Sequence, residues 1–203
     1  MGLILENAII FDEEDSVARN KKEQEYLDYI KEHIYLVCMS YKKYFFPYLQ
    51  DDTLTINCPY VSDNEMRYYI NQCGLHISDH DASKFSDDEF DGYRAKYFPT
   101  LKEENLDDEK QKEIDARAEE CWEHHYKNNP HHPKYWVDPE TGAPTDMKLD
   151  AIIEMICDWC AMSEKFHSDV REWYDKSAVE EKKAMTDNTK QIVEFILNNI
   201  INK

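Results

Sequence analysis

KKEQEYLDYIKEHIYLVCMSYKKYFF, residues 21–46, sets Tyr26, Ile30, His33, Val37, Tyr41 and Tyr44 at steps of three and four, and Pro47 follows directly. Such steps keep side chains on one face of a helix, whereas a half-buried strand needs strict alternation. The stretch is expected to be a helix with one buried stripe, and His33 lies on that stripe. The same period recurs along the chain. A capping box, Ser62 with Glu65, opens a helix through Met66, Ile70, Cys73 and Ile77 that places His80 on the same face. A second, Ser86 with Glu89, opens a short helix through Phe90 and Tyr93 that Pro99 stops. From Asp107 to Asn128, Ile114, Ala118, Cys121, Trp122 and His125 keep register; His124 shares its face with Glu113, Arg117 and Glu120 and points outward.

The proline-bracketed turn NPHHPKYW holds His131 and His132, and the loop DPETGAP follows it. A helix from Asp146 to Phe166 has two apolar faces, Leu149, Ile152, Ile156 and Trp159 on one and Ala151, Met155, Met162 and Phe166 on the other. Asp158 belongs to the second set and needs a partner there, because an unpaired buried charge is costly. Thr189 to Ile201 form a closing helix, while Met1 to Phe11 read equally as an arm or a short strand. The expectation is an all-α fold: an N-terminal arm, residues 1–20, and a single helical-bundle domain, residues 21–203.

Composition narrows the function classes. With 24 Lys+Arg against 43 Asp+Glu, the 203-residue chain carries a net charge of −19, which disfavours duplex nucleic acid, since that affinity comes from cations neutralising phosphates. An anionic small molecule remains a reasonable substrate, because a bound metal reverses the local sign of an acidic site. No stretch approaches the length of a membrane span and the N-terminus lacks a basic leader, so no membrane partner is expected. The six cysteines are scattered through predicted helices, which suggests reduced thiols and a cytoplasmic protein. Cys157 and Cys160, a lone C-x-x-C within a helix, read as core thiols. Tyr135 and Trp136 could stack on a base or close the core. Oligomeric state is open.

Four helices thus bring His33, His80, His125 and Asp158 to buried faces, with Asp81 beside His80 and two histidines in a rigid turn. Imidazole and carboxylate together suit one or two divalent transition-metal ions, Fe, Mn, Zn or Ni. Of the adjacent pair His131 and His132, one reaches the metal, and His132 is the choice. His76, one turn before His80, competes as a ligand, and Glu154, one turn before Asp158, could accept from a ligand imidazole. Lys84 could hold a phosphate oxygen as a point charge or pair with Asp81 or Asp87.

The order His33, His80-Asp81, His125, His132, Asp158 resembles that of the HD-domain superfamily, helical metal-dependent phosphohydrolases, and matches its dinuclear members best. The run HDASK is similar to the HD-x-[GS]-K element of the HD-GYP cyclic-dinucleotide phosphodiesterases and of myo-inositol oxygenase, where the Lys contacts substrate. By that resemblance Lys84 inherits the contact, and Asp81 is the other expected catalytic residue. Mononuclear HD nucleotidases carry Glu where this chain has Lys84, which sets it apart from them. HDASKFSDDEF, HHYKNNPHHPKYW and EMICDWCAM, with EWY after them, resemble more closely domain-of-unknown-function family 5662, a family of uncharacterised phage and bacterial proteins without an established activity.

The leading expectation is a dinuclear metal-dependent phosphohydrolase acting on a nucleotide or cyclic-nucleotide phosphoester, with metal-activated hydroxide as nucleophile. Two alternatives stand beside it. One is a diiron oxygenase resembling myo-inositol oxygenase; the other is a non-catalytic acidic interaction protein of phage origin, motivated by the −19 charge.

Overall fold

Ten α-helices follow one another along the described residues of the computed structural model, which describes the backbone of residues 2–202 and the side chains of residues 16–202. They are α1 (Gly2–Tyr44), α2 (Pro47–Gln50), α3 (Asp63–His76), α4 (Phe90–Tyr97), α5 (Leu101–Glu104), α6 (Asp108–Asn128), α7 (Leu149–Phe166), α8 (Val170–Lys176), α9 (Val179–Lys183) and α10 (Asp187–Ile196). Tight 3₁₀ turns at Ile77–Asp79, Ala82–Phe85 and Pro133–Trp136 link some of them, and a π-helical turn, Leu197–Ile201, ends the chain. The fold is all-α: among the described residues there is no strand, and Val137 and Pro144 form an isolated bridge. The strand considered for the N-terminus does not form, because helical bonding of α1 begins at Gly2.

The chain divides into two compact units, residues 1–32 with 82–125 and residues 33–81 with 126–203. The first unit is held by aromatic packing and ion pairs. Tyr26 on α1 lies 5.1 Å from the ring of Phe90 and 5.4 Å from that of Phe98. Arg94, buried on α4, makes a two-pronged bond to Glu103 at 2.6 and 2.8 Å. Glu103 also closes a capping box with Thr100 at the start of α5, so one carboxylate orders a helix end and neutralises a buried guanidinium.

The capping box expected at Ser86 and Glu89 is absent. Glu89 itself is the N-cap of α4 without a side-chain cap bond, and Ser86 Oγ donates to Ser83 O at 2.7 Å. The Glu89 side chain is fully buried and bonded to histidines instead, and a buried carboxylate gains more from two imidazole N–H groups than from an exposed helix end.

The second unit contains the main hydrophobic core, centred on α7. Ile152, Ile153, Ile156 and Cys157 are all 0% exposed, and a helix buried on several faces belongs inside a layer of others. Full burial of each isoleucine is worth about 1.5–3 kcal/mol. α3 and α10 pack against α7, and α8 covers it through Trp159, whose ring lies 5.0 Å from that of Trp173. α1 meets α3 where Tyr41 Oη donates to Ile70 O at 2.9 Å. Gly74 permits that approach, since a methyl there would collide with the Tyr41 hydroxyl. Cys157 and Cys160 are buried in this core as free thiols, and burial pushes Cys160 up to about 12. Rigid packing of α7 on several sides fixes the position of any polar group it carries.

Candidate metal centre

α7 carries two such groups, Glu154 and Asp158, one helical turn apart on one face. His33 enters from the buried stripe of α1. α3 ends at His76, earlier than the apolar period suggests, and the 3₁₀ turn after it delivers His80, 1% exposed. Asp81 follows in a left-handed conformation, φ 56°, a region that Asp and Asn tolerate better than other residues with a Cβ. His131 and His132 come from the turn after α6, where His132 N donates to Asn129 O at 3.1 Å and Trp136 Nε1 to Pro130 O at 2.7 Å. Trp136 therefore ties the turn shut, while Tyr135 is 43% exposed.

These side chains converge in the second unit. His33 Nε2 lies 3.2 Å from His80 Nε2 and 3.2 Å from Asp158 Oδ1. Asp81 Oδ2 lies 3.5 Å from His33 Nε2 and 3.6 Å from His80 Nε2. Metal–ligand bonds of about 2.0–2.2 Å set neighbouring donors about 3.0–3.5 Å apart, and the separations among His33 Nε2, His80 Nε2 and Asp81 Oδ2 are close to that range. The other oxygen of Asp81, Oδ1, faces His131 Nε2 at 3.3 Å. Asp81, His131 and His132 each place one donor atom within 4.8 Å of the others, as do His33, His80 and Asp81, and His80, His131 and Asp158. Buried histidine and aspartate groups that could hold a metal ion are thus present, and the Asp158 side chain, 17% exposed, is their open edge.

Glu154 sets the direction of the rings. Its Oε1 lies 2.8 Å from His80 Nδ1 and 3.2 Å from His131 Nδ1. An imidazole that donates Nδ1–H keeps its Nε2 lone pair for a cation, and both Nε2 atoms face the Asp81 carboxylate. Burial alone would raise Glu154, yet the His131 and His80 imidazoles pull it down to about 2. Asp158 is likewise opposed by burial and held well below the usual carboxylate range by His33 and His80. His131 is disfavoured as a cation by burial, but Asp81 and Glu154 on its two nitrogens push it up to about 10.

The remaining candidates are placed as follows. His131, 2% exposed, is the member of the adjacent pair that faces both Asp81 and Glu154; the half-buried His132 ring lies 4.3 Å from it. His76 stands behind the cluster, with Nδ1 3.5 Å from Glu154 Oε2. His125 is buried in the first unit, its Nδ1 2.8 Å from Glu89 Oε2 and 3.2 Å from Ser83 Oγ. Lys84 is half-buried on the turn Ala82–Phe85.

Glu89 is the residue sequence reasoning missed. Its two oxygens take His125 Nδ1 and His124 Nδ1, the latter at 2.7 Å, and although burial works against its charge, these histidines hold it below its ordinary value. The S-x-x-E pattern pointed to a cap, and no local signal separates the two uses.

Among the described residues no helix is long and apolar enough to cross a membrane. No curated protein and no solved structure matches the chain. A family model does match, over residues 22–199; with that span covered, the chain belongs to the family of unknown function DUF5662.

Proposed function

We propose that the protein is a metal-dependent phosphohydrolase with room for two divalent ions, acting on a nucleotide or cyclic-nucleotide phosphoester. The observation that carries this reading is the Asp81 carboxylate, whose Oδ2 faces His33 and His80 while its Oδ1 faces His131. A carboxylate that offers its two oxygens to two imidazole sets suits a bridge between neighbouring cations. Asp158 Oδ1 approaches His33 of the first set at 3.2 Å. When bound, such ions activate water and polarise a phosphoryl group at neutral pH.

The protein's own residues would do the rest. Glu154 keeps the His80 and His131 rings turned toward the ions, and burial of His33, His80, Asp81 and His131 excludes bulk water from all but the Asp158 edge. Lys84, proposed on the HDASK resemblance, would hold a phosphate oxygen. The ions also solve an electrostatic problem, because Asp81, Glu154 and Asp158 would otherwise repel an anionic substrate.

Elemental analysis of untagged protein, followed by a phosphoester panel with Mn²⁺- or Fe²⁺-loaded enzyme, tests the reading. One to two equivalents of metal and phosphate release, both lost in Asp81→Asn, are expected. A loaded protein that leaves every nucleotide and cyclic nucleotide intact overturns it, and oxygen uptake without phosphate release redirects the site to oxygenase chemistry.

A further inference from the structure

A cavity of about 360 Å³ lies in the first unit between α1, α4 and α6, and no residue of the metal cluster lines it. Its volume falls at the small end of the range for small-molecule pockets. Behind it α4 and α6 pack closely because residue 92 is glycine; a Cβ there would collide with Cys121 Sγ. Ile114 continues the apolar stripe of α6, but whereas Ala118 and Cys121 are buried, Ile114 is only half-buried, because it lines the cavity together with Leu106 and Ala95.

The charge of the lining runs against that of the chain. Arg19, Arg94, Lys110 and Arg117 stand there against Asp91 and Glu113, whereas the whole sequence has 24 basic residues to 43 acidic ones. Three of these cations are loosely held. Arg19 pairs with Glu23 and Asp91, Arg117 pairs with Glu120 and donates to Asp88 O at 3.1 Å, and Lys110 meets Asp107 only at 4.0 Å. Ion pairs open to solvent are worth little, so an entering anion competes with them. Arg94 differs, being 3% exposed with both terminal nitrogens on Glu103. Its buried Nε–H has no hydrogen-bond partner among the described residues. A buried donor left unmet is costly, and one on a guanidinium is best met by an anionic oxygen.

We propose that this cavity binds a small organic phosphate. The phosphoryl group takes the guanidinium and ammonium donors, and a ring-bearing body lies on Leu106, Ala95 and Ile114. A phosphoryl head offers about two negative charges and three acceptor oxygens, which suits four cations on one wall better than a carboxylate does. The site stands apart from the metal centre and does not require that the second unit bind metal.

The test titrates the full-length protein, treated with chelator so that no metal competes for the probe, with phenylphosphonate, which has no ester bond to hydrolyse. Isothermal calorimetry should show one equivalent bound with a dissociation constant of about 1 mM or tighter, weakening as salt is added. Inorganic phosphate, which lacks the body, and benzoate, which lacks the second charge, should each bind more weakly. Lys110→Gln and Arg117→Gln, at exposed positions of α6, should each weaken phenylphosphonate about tenfold. Ala95→Glu sets a carboxylate in the cavity and should abolish binding; if circular dichroism shows that it has lost helix, Lys110→Glu takes its place. A wild-type protein that binds no phenylphosphonate overturns the site, and so does wild-type affinity in the charge variants, which would put the anion elsewhere. Benzoate as tight as phenylphosphonate overturns the phosphoryl head, and inorganic phosphate as tight overturns the apolar body.

Discussion

His33 Nε2 faces His80 Nε2 at 3.2 Å with both rings buried. The Nδ1 of His80 is committed to Glu154, so in the neutral ring its Nε2 is a bare lone pair, and a second lone pair aimed at it from His33 is repulsive unless a proton or a cation lies between them. A proton on His33 Nε2 satisfies the contact in the metal-free protein, and a metal ion held by His33, His80 and Asp81 would replace it.

Stability should therefore respond to metal. A ligand that binds only the folded state at 100 times its dissociation constant adds about 2.7 kcal/mol, or about 5–10 °C in melting temperature for a chain of this size. A rise of this size is expected with Mn²⁺ or Zn²⁺ in thermal denaturation of chelator-treated protein, and none in His33→Ala.

The metal-free protein should show a stability maximum in mildly acidic solution. Glu154 is lowered to about 2, and Asp158 is lowered too, so both stabilise the fold above their ordinary values and cease to do so as pH falls through the folded ones. His131 is raised from 6.5 to about 10; its contribution is complete below 6.5 and lost as pH rises toward 10. Melting temperatures should fall below about pH 4.5 and again above about pH 6.5. Saturating metal should remove the alkaline decline, because it takes the place of the His131 proton, and an indicator dye should register that proton on loading. A metal-free melting temperature that keeps rising from pH 7 to 9 would contradict this.

How much of this was legible in the sequence depends on the range of the interactions involved. His33 and Val37 follow a helical period, and the period reports burial directly, so α1 from Lys21 onward, α3, α6 and α7 could be read. α8 and α9, with seven and five residues, are too short to display a period. His80 was expected on the buried face and is buried, but it directly follows the 3₁₀ turn that ends α3. Glu89 was out of reach because its partners lie 35 and 36 residues away, and its local pattern is that of an ordinary cap. Which of His131 and His132 faces Glu154 depends on the twist of a turn between two prolines, a property of backbone geometry and not of residue type.

Glu154→Gln should separate ring orientation from charge. The amide can still accept from one imidazole, so helix content should be kept, but a neutral acceptor is weaker for two rings. Metal affinity is expected to fall roughly 10–100-fold, with turnover at saturating metal falling less, since Glu154 acts through His80 and His131. Equilibrium dialysis against a metal buffer, paired with kinetics at saturating metal, distinguishes the two. A variant with wild-type affinity would mean that the Nδ1 bonds do not set the ligand direction.

Arg94 and Glu103 offer a prediction independent of metal. Arg94 is 3% exposed and bonded through both terminal nitrogens to Glu103, which also caps α5. Removing one partner of a fully buried pair costs about 3–5 kcal/mol; with Glu103 partly exposed, Glu103→Ala should cost about 2–3 kcal/mol in urea unfolding. Glu103→Gln, which can still close the cap, should recover part of the loss.

Asp81 combines charge, bridging geometry and backbone strain, and two substitutions take these apart. At φ 56° asparagine is at ease, whereas alanine pays about 1–2 kcal/mol for the left-handed conformation. Asp81→Asn also removes a negative charge that disfavours ionisation of Asp158. Against that gain it removes the buried ion pair with His131, so the metal-free Asn variant should melt below wild type near neutral pH, and it should retain little metal, because a neutral amide oxygen would replace a carboxylate. Asp81→Ala should lose metal as well, and in addition unfold at lower urea by an amount consistent with the backbone cost. If Asn and Ala variants were equally stable, the left-handed conformation would carry no strain at this position. If Asp81→Asn kept two equivalents of metal, the bridging role proposed for the carboxylate would be overturned.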